Sequence, residues 1–556
     1  MNSRCVSRLI WWLAAICCLS GPAAALPAQG ANEPELIRER IEQLREGNEL
    51  VVGGEAIASV IVLPALYEQN EYRRIWTNDD SIEQLLHALR NIEQDCLDAR
   101  DYHLQALEKL RTPDDGRVTD PVRQAELDLL LTDSLVRLGY HLLFGKVDPV
   151  ALDADWNMKH QINRLDDVLA YQSAITNGTL GSLIDGMRPA HPFYGNLKKT
   201  LARYRELADS GGWPEVPAGK TLKEGMSDPR LEVLGERLHI TGDMPDPVVE
   251  SMEYDQYLIE AVKRFQSRHG LDVDGITGPG TLRALNVPVQ DRIDQLCVNL
   301  ERARWVLHKV EEEALIVDIA GFNVMYQRNG EPVWNSRVQV GKPYRKTPVF
   351  KSKIRYLVMN PTWTVPPTIL VEDILPAVKM NPGYLKEKNI RVLTHEGGVI
   401  DESDIDWSRY SGLDFPYLLR QDPGPSNAVG RIKFMFPNDH LVYLHDTPNK
   451  SLFDRSERAF SSGCIRVERP YSLAELLLDN SEKWSREAIV REIETAETRT
   501  VFLPQPVTVM LLYWTADIDD EGRVVFKKDI YDRDPPILAG LRSEFSFRRD
   551  AIFRQE

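Results

Sequence analysis

The chain has 556 residues, of which 27% are charged, and a formal net charge of −17. This length exceeds what one ordinary hydrophobic core supports, so we expect three or four domains. The acidic balance and the lack of a long basic run argue against a nucleic-acid partner.

Residues 1–25 have the pattern of a signal peptide. Arg4 and Arg8 form a positive segment, residues 9–19 are apolar, and residues 23–25 are alanines that suit a cleavage site. The apolar run is well short of the ~20 residues that a membrane-spanning helix needs. We therefore expect export with removal of this segment, rather than a membrane anchor.

Three cysteines remain in the mature chain, namely Cys96, Cys297 and Cys464. An odd number is unusual for an exported protein, because disulfides persist outside the cytoplasm. Cys96 and Cys297 have no zinc-type spacing, and the sequence leaves open whether they pair. A free thiol in an oxidising compartment is exposed to oxidation, which favours a chemical role for Cys464.

Residues 36–225 predict a helical domain. Its central helix is expected at residues 125–144, where leucines cover more than one helical face, and Gly145 and Pro149 end the helix. No residue pattern in this domain indicates chemistry. Its expected role is positioning or interaction with a partner.

Residues 228–287 predict a compact second module. A helix at residues 258–266 precedes a tight loop that contains Gly275 and Gly278, and Thr281 begins the next helix. Packing and loop geometry alone explain these residues, so none of them needs to touch a ligand.

From residue 312 the apolar pattern changes to period two, which predicts strands. The mainly β, β-sandwich-like domain expected here spans residues 312–500, and residues 501–556 are expected to pack on it. Residues 366–426 interrupt the pattern with a helical and loop-rich insertion, which is either a functional lid or a plain surface insertion. The predicted fold class is therefore multidomain α+β.

The segment from His445 to Arg466 carries the predicted chemistry. His445 ends a segment, residues 440–445, that alternates as a strand does, and Cys464 follows the turn Ser461-Ser462-Gly463. A cysteine becomes a nucleophile when a base takes its proton, and imidazole suits that task near neutral pH. Glycine permits a tight turn whose amide N–H groups can stabilise an oxyanion.

This pattern resembles the YkuD-type catalytic domain of L,D-transpeptidases. The resemblance rests on His445, Ser461, Gly463, Cys464 and Arg466, with their spacing. One position departs from the family, because Ser462 stands where a histidine usually precedes the glycine. The long YcbB-like members share this serine, as well as the Gly-Lys-Val-Asp-Pro segment at residues 145–149.

Two further segments extend the resemblance. The second module, residues 228–287, resembles the peptidoglycan-binding type 1 domain over its whole length, with the matching motif at residues 270–285. Residues 360–367 resemble the entry to the cap insertion of YcbB-like enzymes. The resemblance implies peptidoglycan stem peptides as partners, with a tetrapeptide donor and a diaminopimelate amine as acceptor. Other cell-wall enzymes are further candidate partners, and the implied location is the periplasm, in association with the cell wall.

The expected reaction is formation of a 3→3 cross-link through a cysteine thioester, with release of D-alanine. Cys464 is the expected nucleophile, His445 the general base and proton donor, and Gly463 a backbone donor to the oxyanion. Arg466 suits a substrate carboxylate because of its fork geometry, although a structural salt bridge explains it equally well. The other candidate substrate-binding residues are Tyr443, Ser462 and Trp363, and packing remains an alternative for each of them.

No cofactor and no metal site are predicted. His440 and His445 lie five residues apart on a predicted strand and hence on opposite faces, without a carboxylate pattern beside them. Two alternatives to the transpeptidase remain open. One is an exported cysteine peptidase or L,D-carboxypeptidase that hydrolyses stem peptides, and the other is a non-catalytic wall-binding scaffold protein.

Overall fold

The computed structural model describes residues 32–111, 120–153, 156–158, 164–246, 253–412 and 414–546. The predicted signal peptide therefore lies outside the described residues. A search of the described helices for one with the length and apolarity of a membrane span finds none.

The N-terminal part is helical, as predicted. Its central helix is deeply buried, begins after the capping side chain of Asp120 and ends at Gly145, whose φ is 81°. The elements of this part are α1 (Glu33–Arg45), β1 (Val51–Val52), β2 (Glu55–Ala56), α2 (Val62–Gln69), α3 (Asp79–Arg90), α4 (Leu104–Arg111), α5 (Pro121–Phe144), α6 (Pro149–Leu152), α7 (Arg164–Asn177), α8 (Leu180–Gly186) and α9 (Pro192–Asp209), with 3₁₀ turns at Ile92–Asp95 and Ala99–Tyr102.

The second module has a hydrophobic core of its own. It contains α10 (Arg230–Ile240), α11 (Gln256–Arg268) and α12 (Pro279–Leu285). The predicted core residues Val262, Phe265 and Leu285 are fully buried. Gly275 has a φ of 71°, and a side chain there would approach Ile259 to 2.7 Å, so the loop requires glycine.

Helix α13 (Val289–Val306) ties the parts of the molecule together. It packs against α5 and α9 of the helical part. A disulfide joins its Cys297 to Cys96, with the Cα atoms 5.4 Å apart, which resolves the question that the sequence leaves open. The buried Arg304 on the same helix pairs with Glu301 and donates to the Asp95 carbonyl.

The catalytic domain predicted from residue 312 is built on one nine-stranded mixed sheet with the order β13-β5-β14-β12-β11-β6-β15-β3-β4. An additional pairing of β4 with β5 closes the sheet on itself, so the two faces of the expected sandwich belong to one continuous sheet. The strands are β3 (Ala314–Asp318), β4 (Asn323–Arg328), β5 (Glu331–Gly341), β6 (Phe350–Met359), β11 (Ile432–Met435), β12 (Leu444–His445), β13 (Ala459–Ser461), β14 (Ile465–Val467) and β15 (Arg499–Leu512), with helices α17 (Pro470–Leu478) and α18 (Arg486–Glu494).

Strand β15 lies inside this sheet, between β6 and β3. The boundary that the sequence places between residues 500 and 501 therefore falls within a strand. Beyond it, β16 (Ala516–Ile518), β17 (Val524–Phe526) and α19 (Asp534–Arg542) complete the described C-terminal part. Arg268 of the second module donates to the Val524 carbonyl, which connects that module to β17.

The insertion between β6 and β11 is a small subdomain with a separate apolar core. It holds the expected helices and also a four-stranded sheet of order β7-β10-β8-β9 that the sequence does not predict. Its elements are β7 (Trp363–Thr364), α14 (Pro367–Ile369), a π-helical turn (Leu370–Ile374), α15 (Leu375–Met380), α16 (Tyr384–Glu387), β8 (Ile390–Leu393), β9 (Val399–Ile400) and β10 (Leu418–Gln421). Strands of two to four residues are too short to show a period-two pattern.

The disulfide generates a prediction about stability. Replacing Cys96 and Cys297 by alanine should lower the free energy of unfolding by about 2–5 kcal/mol, because the bond closes a very long loop in the unfolded chain. Denaturant unfolding followed by circular dichroism measures this change. Cys464→Ala is the matched control and should leave the unfolding midpoint in place. An unchanged midpoint in the double variant would contradict the stabilising role of the bond.

Candidate active site

The candidate site lies where β12 and β14 run side by side. The two strands are parallel, with Leu444 opposite Ile465 and His445 opposite Arg466. Leu444 and Ile465 are fully buried in the core. Since side chains alternate along a strand, His445 and Arg466 project from the opposite face, together with the preceding Tyr443 and Cys464.

The predicted strand at residues 440–445 is shorter in the structure, because only Leu444 and His445 are in β12. Leu441 has a φ of 56° and breaks the extended conformation. Its carbonyl accepts a hydrogen bond from the Cys464 thiol, with Sγ and O 3.7 Å apart. The break in the strand therefore brings a backbone acceptor to the thiol.

Hydrogen bonds fix the turn that carries Cys464. The Ser461 hydroxyl donates to the Cys464 carbonyl at 2.5 Å and accepts from the Gly463 N–H at 3.1 Å. Thr347 Oγ1 donates to the Gly463 carbonyl at 2.8 Å. Gly463 has a φ of 113°, a conformation that residues with a side chain rarely adopt.

Two tyrosines lie close to the turn that carries Cys464 or to its supporting backbone. Tyr531, from the C-terminal part, donates to the Gly341 carbonyl at 2.6 Å and accepts from the Thr347 N–H at 3.1 Å. Tyr443 lies beside the thiol, and its ring centroid is 5.5 Å from that of His445. Residues beyond 500 thus support the catalytic turn from outside the predicted motif.

The surroundings of Cys464 keep its thiol protonated. Burial raises the pKa of the thiol, while hydrogen bonding from the Tyr443 backbone and the charges of Lys433 and Arg466 oppose that rise. Among the described residues Cys464 is the one cysteine outside a disulfide. The thiol is therefore available for chemistry but needs a base to become a thiolate.

His445 is a buried, neutral base. Burial and the positive charge of Arg466 lower the pKa of its imidazole to about 3. Its Nδ1 lies 2.5 Å from the Asp446 carbonyl, so Nδ1 carries the proton and donates it, which leaves Nε2 as the basic nitrogen. Within the described structure no hydrogen bond joins His445 to the thiol, which donates to Leu441 instead.

Two further polar side chains share this face of the sheet. Lys433 on β11 lies opposite His445, and Gln339 on β5 lies opposite Arg466. Arg466 Nη1 donates to Gln339 Oε1 at 3.2 Å. A polar row therefore crosses four adjacent strands beside the thiol.

Ser462 connects the catalytic turn to the cap insertion through Arg345. The Arg345 guanidinium donates to Ser462 Oγ at 2.7 Å and pairs with Glu372 and Asp373 on the π-helical turn of the cap. The side chain of Arg345 is only 8% exposed, whereas the two carboxylates are about half exposed. The position where the family usually has histidine thus takes part in a contact with the cap.

Trp363 belongs to the cap insertion. It is on β7, opposite Gln421 of β10, and packs against the core of the cap. The structure therefore brings together Cys464, His445, Tyr443, Arg466 and Ser462, and places Trp363 in the cap.

Sequence reasoning missed Lys433, Gln339 and Arg345. Lys433 had a usable signal, because antiparallel counting outward from the predicted turn at residues 437–439 places residue 433 opposite 443, on the same face of the sheet as its observed partner His445. Gln339 and Arg345 had no such signal. Each lies more than a hundred residues in sequence from its partner, with the whole cap insertion in between.

Family models match three segments of the chain. Residues 312–485 match the model of the L,D-transpeptidase catalytic domain, residues 227–285 match a "Putative peptidoglycan binding domain", and residues 62–201 match a scaffold domain. The chain therefore contains an L,D-transpeptidase catalytic domain and a peptidoglycan-binding domain, which confirms the resemblance drawn from the sequence.

Among individual proteins, a "Putative L,D-transpeptidase" of Haemophilus influenzae is 38% identical over 245 residues, which is 44% of this chain. The alignment spans about half of that relative, 48% of its length. Crystal structures of L,D-transpeptidases from Xylanimonas cellulosilytica and Stackebrandtia nassauensis align with 14% and 12% identity over 53% and 54% of this chain, and over 99% and 96% of theirs. Their TM-scores of 0.18 and 0.21 add nothing to the assignment.

The protonation states predict how alkylation depends on pH. The rate at which iodoacetamide modifies Cys464 should rise with pH, and the midpoint of this rise should lie above pH ~8.5, the ordinary pKa of a thiol, because burial disfavours the thiolate. A neutral His445 supplies no imidazolium to hold a thiolate near neutral pH. Rates measured by mass spectrometry, with Cys464→Ala as background, test this. A fast reaction that is constant between about pH 5 and pH 8 would instead reveal a preformed thiolate–imidazolium pair.

The Arg345 contacts predict that the local stability of the cap segment at residues 370–374 depends on the Arg345 side chain. Arg345→Met should lower the local opening free energy of residues 370–374 by about 1 kcal/mol, because two ion pairs and a hydrogen bond are lost. Hydrogen exchange of this segment measures the effect. Arg391→Met, which removes the exposed pair with Asp422 elsewhere in the cap, is the matched control. Equal exchange in both variants and wild type would contradict the assigned role of Arg345.

Proposed function

We propose that this protein is an exported L,D-transpeptidase that forms 3→3 peptidoglycan cross-links through a thioester on Cys464. The parallel pairing of β12 with β14 carries the proposal, because it places a free thiol, a neutral imidazole and the Arg466 guanidinium on one face of the sheet. The match of residues 312–485 to the catalytic-domain model supports the same reaction class.

Acylation begins when the Cys464 thiol turns from the Leu441 carbonyl toward Nε2 of His445 and gives up its proton. The sulfur attacks the carbonyl carbon at the L-centre of diaminopimelate in a tetrapeptide stem. His445 then returns the proton to the nitrogen of the leaving D-alanine, and the C–N bond breaks. The products are free D-alanine and a tripeptide thioester.

The Cys464 N–H is the main oxyanion donor in this proposal. The sequence points to Gly463, but the Gly463 N–H already donates to Ser461 Oγ. In the described part of the chain, the amide of Cys464 makes no such bond and lies next to the sulfur. Gly463 contributes the φ of 113° that shapes the backbone just before this amide, and Ser461 maintains the turn.

Transfer completes the cycle. The amine of a second stem attacks the thioester, His445 accepts its proton, and the Cys464 sulfur leaves and is reprotonated. Water must be kept from the thioester for transfer to exceed hydrolysis. The cap, tied by Arg345 to Ser462 beside the nucleophile, is the segment we assign to that gating role, and Trp363 belongs to its framework.

The proposed location is the periplasm, at the cell wall. The Cys96–Cys297 disulfide is typical of a protein that folds outside the cytoplasm, and the predicted signal peptide would deliver it there. The peptidoglycan-binding match supports contact with the wall polymer. We propose helical and binding units at residues 36–225 and 228–287 and a catalytic unit that begins at residue 312. The catalytic unit continues past the expected boundary at residue 500 through strand β15 (Arg499–Leu512), and the residues after β15 pack on it. Other cell-wall enzymes are candidate partners of the helical unit.

Products distinguish the candidate functions. Incubation of the purified protein with disaccharide-tetrapeptide should give a dimer that lacks one D-alanine, which mass spectrometry identifies. A shortened stem without dimer would support hydrolysis instead. If no product forms and a carbapenem does not add covalently to the protein, Cys464 does not act as an acylated nucleophile. Cys464→Ala should abolish dimer formation, and cross-linking by this variant would refute the assignment.

A further inference from the structure

Lys433 has the geometry of a ligand-binding residue rather than of a structural ion pair. It lies on β11 opposite His445, and its side chain is partly buried on the face that carries the thiol. Its ammonium lies 3.6 Å from the centroid of the Tyr443 ring, which borders Cys464. This contact holds the cation close to the nucleophile.

The described structure gives Lys433 no carboxylate partner. Neighbouring lysines differ in this respect, since Lys450 pairs with Asp446 and Lys351 pairs with Glu311. Burial lowers the pKa of Lys433, while the adjacent Cys464 raises it. A desolvated cation without a counter-charge is unfavourable unless a ligand supplies one.

Arg466 adds a second, independent sign of a missing anion. Burial lowers the pKa of its guanidinium, and its buried Nε has no hydrogen-bond partner in the described structure. Among the described residues, its guanidinium donates one hydrogen bond, to the neutral amide of Gln339. In the same part of the chain, neither Lys433 nor Arg466 pairs with an acidic side chain, although both face the thiol.

The chemistry of the donor indicates which anion fits. In a stem that ends in D-alanine, the free carboxylate is two bonds from the scissile nitrogen, so it lies close to the sulfur during attack. The side-chain carboxylate of diaminopimelate is several bonds farther from the reacting carbonyl. A carboxylate next to the thiol is therefore that of the leaving residue.

We propose that Lys433 binds the free α-carboxylate of the leaving residue and restricts the enzyme to donor stems that end one residue after the scissile bond. This inference rests on the proposed function. Arg466 remains the candidate to bind the side-chain carboxylate of diaminopimelate. The alternative role is to support the carboxylate bound by Lys433 through its Nε, which has no partner in the described structure.

Two alkylating agents test the anion site without any assumption about the reaction. Iodoacetate carries a carboxylate and iodoacetamide does not, so the ratio of their rates at Cys464 reports a nearby cation. Lys433→Met should lower the iodoacetate to iodoacetamide ratio by roughly tenfold, the effect expected for loss of one charge-assisted hydrogen bond. Lys433→Arg should retain most of the wild-type ratio.

Lys353→Met is the matched control, because Lys353 is an exposed residue of β6 and carries the same charge. Its ratio should equal that of wild type. Lys433→Gln gives a second variant in case the methionine protein does not fold. If the alkylation rates with both agents fall equally in the Lys433 variants, Lys433 affects only the reactivity of the thiol, and the proposal is wrong. A ratio that equals the wild-type ratio also overturns the proposal.

A substrate comparison completes the test. Wild type should consume a tetrapeptide with a free C-terminal carboxylate in preference to its C-terminal amide, and Lys433→Met should lose most of that preference. If Lys433→Met changes the alkylation ratio but keeps the preference for the free C-terminal carboxylate, Lys433 does not bind the carboxylate of the leaving residue. If wild type consumes neither peptide, the proposed function fails, whereas the alkylation ratio still decides whether Lys433 forms an anion site.

Discussion

The parallel pairing of β12 with β14 is the constraint on which the site depends. It buries Leu444 and Ile465 and thereby forces Tyr443, His445, Cys464 and Arg466 to the other face. A shift of either strand by one residue would send that strand's two side chains, Tyr443 and His445 or Cys464 and Arg466, into the core. Because β12 and β14 are interior strands of a closed sheet, flanked by β11 and β5, the register is held from both sides.

The same sheet makes distant parts of the chain necessary for the site. Tyr531 holds the backbone of Gly341 and Thr347, and Thr347 holds the Gly463 carbonyl. Arg345, in the segment between those two residues, reaches both Ser462 and the cap. The turn that carries Cys464 is therefore positioned by residues before the motif, within it and beyond residue 500, and the Arg345 guanidinium links it to the cap.

The local parts of this arrangement could be predicted from the sequence, and the long-range parts could not. The spacing of His445 and Cys464, the helices and the period-two strands all express local conformational preferences. The Cys96–Cys297 bond, the Arg345 contacts and the position of β15 depend on which segments meet in space, and one sequence does not show that. The sheet of the cap escaped prediction because its strands are only two to four residues long.

The central claim is that Cys464 becomes acylated. A rapid acid quench of the protein with a tetrapeptide stem, followed by intact mass measurement and peptide mapping, tests it most directly. The account predicts an added mass equal to the donor without its D-alanine, located on the peptide that contains Cys464, removed by hydroxylamine and absent in Cys464→Ala. An unmodified Cys464 peptide under conditions that release D-alanine, or an adduct on another residue, would contradict it.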